Sequence, residues 1–234
     1  MESNIIKNLI KRNKTIYNFL IFTRDTARIF YNQKRRSRFF WSLKRGDKTL
    51  SMNYPLDENS IFIDVGGHLG NFSYDIYKKY KCTIYAFEPL KNNFDKMTKN
   101  LNIFPKIICV NSALSNFDGE TYISSLGASS SLFDRNEGGV SSKISVKAFS
   151  TFVKEENLEL IDLVKMNIEG SEYELLDEII DSGCINKIKH LQIQFHNFVD
   201  DAPRKRKDIR NKLKLTHINK FNYPFIWERW DIKK

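Results

Sequence analysis

Ile61-Phe62-Ile63-Asp64-Val65-Gly66-Gly67-His68-Leu69-Gly70-Asn71 is a short apolar run carrying one acid that breaks into a glycine-rich turn. A continuous run of this length suits a strand buried on both faces, as in a parallel sheet. Helical spacing follows, because Phe72, Ile76 and Tyr80 recur at i, i+4 and i+8. The sequence therefore predicts strand, glycine turn and helix in that order. Glycine at such a turn lets backbone approach a ligand, and the helix start presents free N–H groups to it.

The same unit recurs along the chain. Cys82 to Phe87 reads as a second strand ending in Glu88 and Pro89, and proline suits the first turn of the helix carrying Leu90, Phe94 and Met97. Lys106 to Val110 is the third strand. Ile161 to Met166 is the fourth, running into Asn167, Glu169 and Gly170 and then a helix with Tyr173, Leu176 and Ile180 that stops at Gly183. His190 to Phe195 alternates as a fifth. Strands alternating with helices indicate βαβ units, an α/β fold and a mostly parallel sheet. Between Asn116 and Phe149 the periodicity breaks around Gly127 to Ser131 and Gly138 to Ser142, where a hairpin and loops are expected. After a basic helix from about Pro203 to Leu215, His217 to Phe221 and Phe225 to Ile232 flank Asn222-Tyr223-Pro224 as a closing antiparallel hairpin.

At 234 residues, with 41% hydrophobic and 13% aromatic residues, the chain can bury one full core but not two comfortable ones. The expected organisation is an extension over residues 1–50 and one domain over 51–234. Thirteen Lys and Arg against three acids up to Lys48 account for the whole net charge of +10. From Asn4 to about Phe30, apolar residues partly follow helical spacing among lysines and arginines, so the extension reads as a basic amphipathic helix. Such a segment suits an anionic membrane surface, a protein partner or the domain's own core. The longest early apolar run, Phe19 to Phe22, is far short of the roughly 20 residues of a membrane span. Three cysteines, Cys82, Cys109 and Cys184, are odd in number and far apart, which fits a reducing cytoplasm and neither a disulfide framework nor a zinc cluster.

The glycine loop has the phase D-x-G-G-x-x-G, not the G-x-G-x-x-G of a dinucleotide fingerprint. An acid two residues before the first glycine would repel a pyrophosphate, and it favours a ligand with a cationic amino group, as S-adenosylmethionine has. Glu88, about 24 residues after Asp64, stands near the spacing at which an acid takes a ribose diol in Rossmann-type sites. The two acids at consecutive strand ends should share one rim of the sheet.

FIDVGGHLGNFS (62–73), YAFEPLKNNF (85–94), NSALSNFDGE (111–120) and VKMNIEGSEYELL (164–176) occur in the order and spacing of the FkbM-like methyltransferases, which the chain resembles from about Ser60 to Asn197. The resemblance implies a Rossmann-like class I methyltransferase with a seven-stranded sheet and helices on both faces. It implies S-adenosylmethionine as methyl donor, S-adenosylhomocysteine as product, and O-methylation of a hydroxyl on a sugar, glycan or glycosylated metabolite. The cofactor would then lie against Asp64, Gly66, Gly67, His68, Gly70 and Asn71 on the first loop, and Glu88, Pro89, Ser112 and Asn167 on the later strand ends.

Two positions depart from the family pattern: His68 replaces the usual Asn, and Asn167 replaces the Asp of K-x-D-x-E-G-x-E. Asn167 cannot act as a base, so a carboxylate role there passes to Glu169 or Glu172, three apart at a helix start and expected to face the cleft. His196 directly follows the fifth strand at the same edge and is the expected base for the acceptor proton. A divalent cation on Asn167, Glu169 and Glu172 is the alternative way to activate a hydroxyl. Trp227 and Trp230 alternate in the last strand, where one is expected to pack on the sheet and a sugar-stacking wall is the other reading. The competing functions are a nucleic-acid methyltransferase, favoured by the charge but lacking an N-P-P-Y-type element after the fourth strand, and a non-catalytic binding protein on the same fold.

Overall fold

The computed structural model of the chain describes residues 31–126, 129–131 and 140–234. Most of the basic lead-in, residues 1–30, lies outside them, as do parts of both Gly/Ser-rich segments. Helix α1 (Gln33–Leu43) is followed by β1 (Ile61–Val65), α2 (Asn71–Tyr80), β2 (Thr83–Phe87), α3 (Lys91–Leu101) and β3 (Ile107–Val110). Next come β4 (Ala113–Ser115), β5 (Gly119–Leu126), β6 (Ser129–Ser131), β7 (Val140–Ala148), α4 (Phe149–Glu155) and β8 (Ile161–Met166). The chain closes with α5 (Glu172–Asp181), β9 (Ile188–Ile193), α6 (Ala202–Thr216), β10 (His217–Tyr223) and β11 (Trp227–Ile232).

Seven strands form the main sheet in the order β10-β11-β9-β8-β1-β2-β3. The five on the β9 to β3 side run parallel, and β10 and β11 pair antiparallel with each other, β11 also lying antiparallel to β9. This is the class I methyltransferase arrangement, with the order of the chain reversing between β1 and β8, where α/β folds bind ligands. Because side chains alternate across a strand, β1 serves two cores. Ile63 and Val65 join Val164, Met166, Leu191 and Trp230 under α4, α5 and α6. Phe62 joins Ile84, Ala86 and Leu163 under α2 and α3, with Ile76, Met97 and Leu101. Asp64 therefore points to the second face, in the middle of an apolar layer, and is fully buried.

The stretch expected as a hairpin with loops holds the antiparallel pairs β5 with β6 and β5 with β7, and with β4 these form a second sheet, ordered β4-β7-β5-β6. Strand β5 pairs antiparallel with β7, while β4 pairs parallel with it, Ala113 opposite Val146. Alternation explains the sheet: Ile123, Ile144 and Val146 bury one face against Leu90 and Ala113 at the rim of the main sheet.

Helix α1 and the turn after it pack onto the domain. Trp41 is buried, its ring 5.6 Å from that of Phe221 and 5.2 Å from that of Tyr223 on β10. The basic helix α6 also faces inward in part, since Arg206 and Arg210 flank the buried Glu228 and Lys212 pairs with Asp177. Trp230 is the member of the tryptophan pair that packs in the core. No described helix is long and apolar enough to cross a membrane.

Candidate active site

The loop after β1 is tied to β2 before it meets any ligand. The N–H groups of Gly66 and Gly67 both donate to Phe87 O, at 3.1 and 2.8 Å. Gly66 sits at φ 84°, and a Cβ there would lie 2.4 Å from Asn167 O, so only glycine allows the ends of β1 and β8 to approach this closely. His68 is also left-handed, at φ 51°, and its N–H donates to Glu88 Oε2 at 2.9 Å. Glu88 Oε1 accepts from Leu90 N–H at 3.1 Å, so this buried carboxylate joins the first loop to the start of α3. Burial raises the Glu88 pKa, and the N–H donors only partly offset that effect.

Above these strand ends lies a cleft of about 270 Å³. Gly66, His68, Glu88, Pro89, Ser112, Asn167 and Glu169 line it, with Phe87, Leu90, Leu114 and Ile123 as an apolar flank. Two buried polar atoms of its lining, Asn167 Oδ1 and Ser171 Oγ, have no hydrogen-bond partner. A polar atom shut away from water without a partner costs free energy, and a bound polar ligand would recover it. Ser171 was not singled out in the sequence; it stands at the N-terminal cap of α5, where its side chain makes no capping hydrogen bond.

Asp64, Gly67, Gly70 and Asn71 stand outside the cleft lining. Asp64 does meet a cation, but the protein's own: Lys165 Nζ donates to Asp64 Oδ1 at 2.8 Å and to Gly66 O at 3.0 Å, while Ser73 Oγ donates to Oδ2 at 2.7 Å. Both members of the pair are buried, and they are register partners on β1 and β8. The signal for Lys165 was present as the lone cation in an apolar strand, at the same distance from its end as Asp64. Gly67 serves packing, because a Cβ there would lie 2.7 Å from Met97 Sδ.

At the β8 and β9 side of the cleft, Glu169, His196 and Glu172 form a row. Glu172, expected to face the cleft, is instead fully buried and turned inward, because its oxygens accept from Ile168 N–H at 2.9 Å and Gly170 N–H at 3.1 Å. Its Oε1 also lies 2.8 Å from His196 Nδ1. His196 Nε2 is 3.4 Å from Glu169 Oε2, and Glu169 lines the cleft while His196 stands behind it. Burial lowers the His196 pKa, but the hydrogen bond and charge of Glu172, with the charge of Glu169, outweigh it and leave the pKa raised. Lys34 of α1 works against them from the same side. It donates to Asn197 Oδ1 at 3.1 Å, and burial and the neighbouring Arg38 lower its own pKa.

No group of three or more His, Cys, Asp or Glu residues able to hold a metal ion occurs among the described residues. Glu172, with both oxygens on backbone N–H groups, is not free to turn toward a cation shared with Asn167 and Glu169.

The sequence pattern of the methyltransferase FkbM domain matches residues 64–225. Hexuronic acid methyltransferase AglP of Haloferax volcanii is 25% identical over 170 residues, covering 71% of this chain and 68% of that protein. Methyltransferase sdnD of Sordaria araneosa is 27% identical over 157 residues, covering 52% of this chain and 61% of that protein. Among solved structures, an rRNA methylase from Streptococcus thermophilus aligns with a TM-score of 0.47 at 14% identity, over 76% of this chain and 90% of the other. A Streptococcus mutans protein in complex with SAH gives 0.49 at 12% identity, over 82% and 97%.

Proposed function

The chain belongs to the FkbM methyltransferase family, and from that premise we propose that it methylates a hydroxyl of a sugar or glycan with S-adenosylmethionine as donor. The observation that carries this reading is the Glu169–His196–Glu172 row beside a cleft with two unpartnered polar atoms. The residues of the cleft fit the holding of this cofactor. Glu88 would take a ribose diol, chiefly through Oε2, which accepts from His68 N–H while Oε1 accepts from Leu90 N–H and Asn93 Nδ2, and Asn167 Oδ1 and Ser171 Oγ would satisfy polar groups at the amino acid end. The apolar flank would cover a base. Asp64 and Lys165 brace the loop from behind. When bound, S-adenosylmethionine supplies a methyl group on a sulfonium, open to in-line displacement by a hydroxyl oxygen.

His196 is then the proton acceptor. With Nδ1–H donated to Glu172, the neutral ring keeps its lone pair on Nε2, where it faces another acceptor, the Glu169 carboxylate. Two acceptors with no proton between them repel. A proton released by the acceptor hydroxyl onto Nε2 replaces that repulsion with an ion pair to Glu169, and Glu172 steadies the imidazolium from the other side. Glu172 is a positioning residue in this scheme. The name of the Haloferax relative, a hexuronic acid methyltransferase, supports a sugar acceptor.

Calorimetric titration of S-adenosylmethionine tests the cofactor assignment. Glu88→Ala removes a charge-assisted hydrogen bond and should weaken binding by about 1.5 to 3 kcal/mol. Unchanged affinity would take Glu88 out of the site. The pH profile tests the base. His196 must be neutral to accept a proton, and its pKa lies above the ordinary 6.5. The acidic limb of kcat/KM should therefore fall above pH 6.5, with activity rising as pH climbs through it. Glu169→Gln removes one of the charges that raise the pKa, so its limb should move to lower pH. A limb that stays in place in that variant would sink the pairing of Glu169 with the base.

A further inference from the structure

A second cavity opens beside the row, between α1 with its following turn and the β9 and β11 ends of the sheet. Arg38, Arg45 and Lys48 line it together with Gln194 and Trp227. Its back wall is Trp41, whose Nε1 donates to Asp47 Oδ1 at 2.9 Å. Gly46 closes onto that wall, since a Cβ there would lie 2.2 Å from the Trp41 ring. Among the described residues, the side chains of Arg38, Arg45 and Lys48 form no hydrogen bond or ion pair, in contrast to Arg206, Arg210 and Lys212 on α6. Among the described residues these three cations therefore face one acid in the lining, Asp47, whose carboxylate already accepts from Trp41.

Two chain segments lead from the cavity to the proposed reaction centre. Gln194 lies two residues before His196 on the same chain segment. Arg38 lies one helical turn after Lys34, which reaches Asn197 and feels the charge of Glu169. Trp227, the tryptophan that does not pack in the core, adds a half-buried aromatic surface. A concave site lined by one sign of charge concentrates ligands of the other sign, and guanidinium groups suit carboxylate or phosphate in paired hydrogen bonds. Aromatic rings present an apolar surface to the C–H face of a sugar.

We propose that this cavity is the acceptor subsite, and that the acceptor is an acidic saccharide whose anionic groups lie on Arg38, Arg45 and Lys48 and one of whose rings lies on Trp227. The proposal rests on the reading of the chain as a sugar methyltransferase and names the substrate class of that same site. Residues 38–48, within the extension, are then part of the substrate site.

Calorimetry on the full chain separates the outcomes. The probes are tetragalacturonate for carboxylate, glucose 1,6-bisphosphate for phosphate, neutral maltotetraose, a tetraglutamate peptide and a single-stranded RNA oligonucleotide. An anionic sugar should bind more tightly than maltotetraose and tetraglutamate, and whichever of the two anionic sugars binds better identifies the anion. Arg38→Gln with Arg45→Gln should weaken it about tenfold or more. Trp227→Leu, which keeps apolar bulk in the strand, should weaken the sugar and leave tetraglutamate unchanged. Equal binding of sugar and peptide, wild-type affinity in the arginine variant, or preference for RNA would each overturn the proposal. S-adenosylmethionine is titrated on the same samples. Loss of cofactor binding defeats the methyltransferase reading itself, whereas cofactor binding without saccharide binding defeats only the subsite.

Discussion

His196→Ala should lower the rate of methyl transfer by about 100-fold to 10,000-fold, the usual contribution of a positioned base, and leave S-adenosylmethionine affinity unchanged. The separation is expected because His196 stands behind Glu169 and does not line the cleft. Glu172 keeps its two backbone donors in the variant, so the Asn167 to Ser171 segment should hold its shape. The measurement is release of S-adenosylhomocysteine on an acceptor that the wild-type protein turns over, beside a calorimetric titration of the cofactor. Near wild-type turnover would rule His196 out as the base. Equal loss of cofactor binding would make it a structural residue.

The largest effect on stability is expected at Lys165. Removing one member of a buried ion pair leaves the other charged and without its counterion, at a cost of about 3 to 5 kcal/mol. Lys165→Met does this to Asp64, which is fully buried and would keep only the Ser73 hydroxyl. For a domain of this size each kcal/mol lowers the melting temperature by about 2 to 4 °C, so the loss should be plain by calorimetry or circular dichroism. Asp64→Asn combined with Lys165→Met removes both charges and should recover much of it. A double variant no more stable than the single one would show that the loss comes from packing and not from a stranded charge.

The sequence made some elements plain and left others hidden, for physical reasons that differ from place to place. Ile161–Met166 stood out because a strand buried on both faces is a continuous apolar run with abrupt polar ends. Asp64 and Glu88 were visible as acids at strand ends. Their duties were not, since a charge in an apolar strand announces that it needs a partner but not whether the partner is a ligand or another side chain. Lys165 answers that question for Asp64 only once β1 and β8 are known to be neighbours in register. The second sheet was missed because its parallel pair, Ala113 with Val146, joins residues far apart in sequence, and local alternation carries no trace of such pairing. Lys34 beside Asn197 is a longer-range case, at a separation of 163 residues. It depends on α1 lying against β10, which no local pattern encodes.

Pairing Asp64 with Lys165 across 101 residues also sets an order of events during synthesis. The nascent chain presents its first strand long before the fourth exists, and at about 5 to 20 residues per second the interval is roughly 5 to 20 seconds. During it Asp64 has no internal counterion, so water must remain its partner and β1 cannot be sealed under α2 at its final depth. The early βαβ units, up to β3, can gather around Phe62, Ile84 and Ile76, but the glycine loop waits for Lys165 Nζ and Asn167 to arrive from the ribosome. Closing of the sheet at β1 and β8 and maturation of the cleft above them are therefore one late step, and a half-made chain holds the loop without the means to fix it.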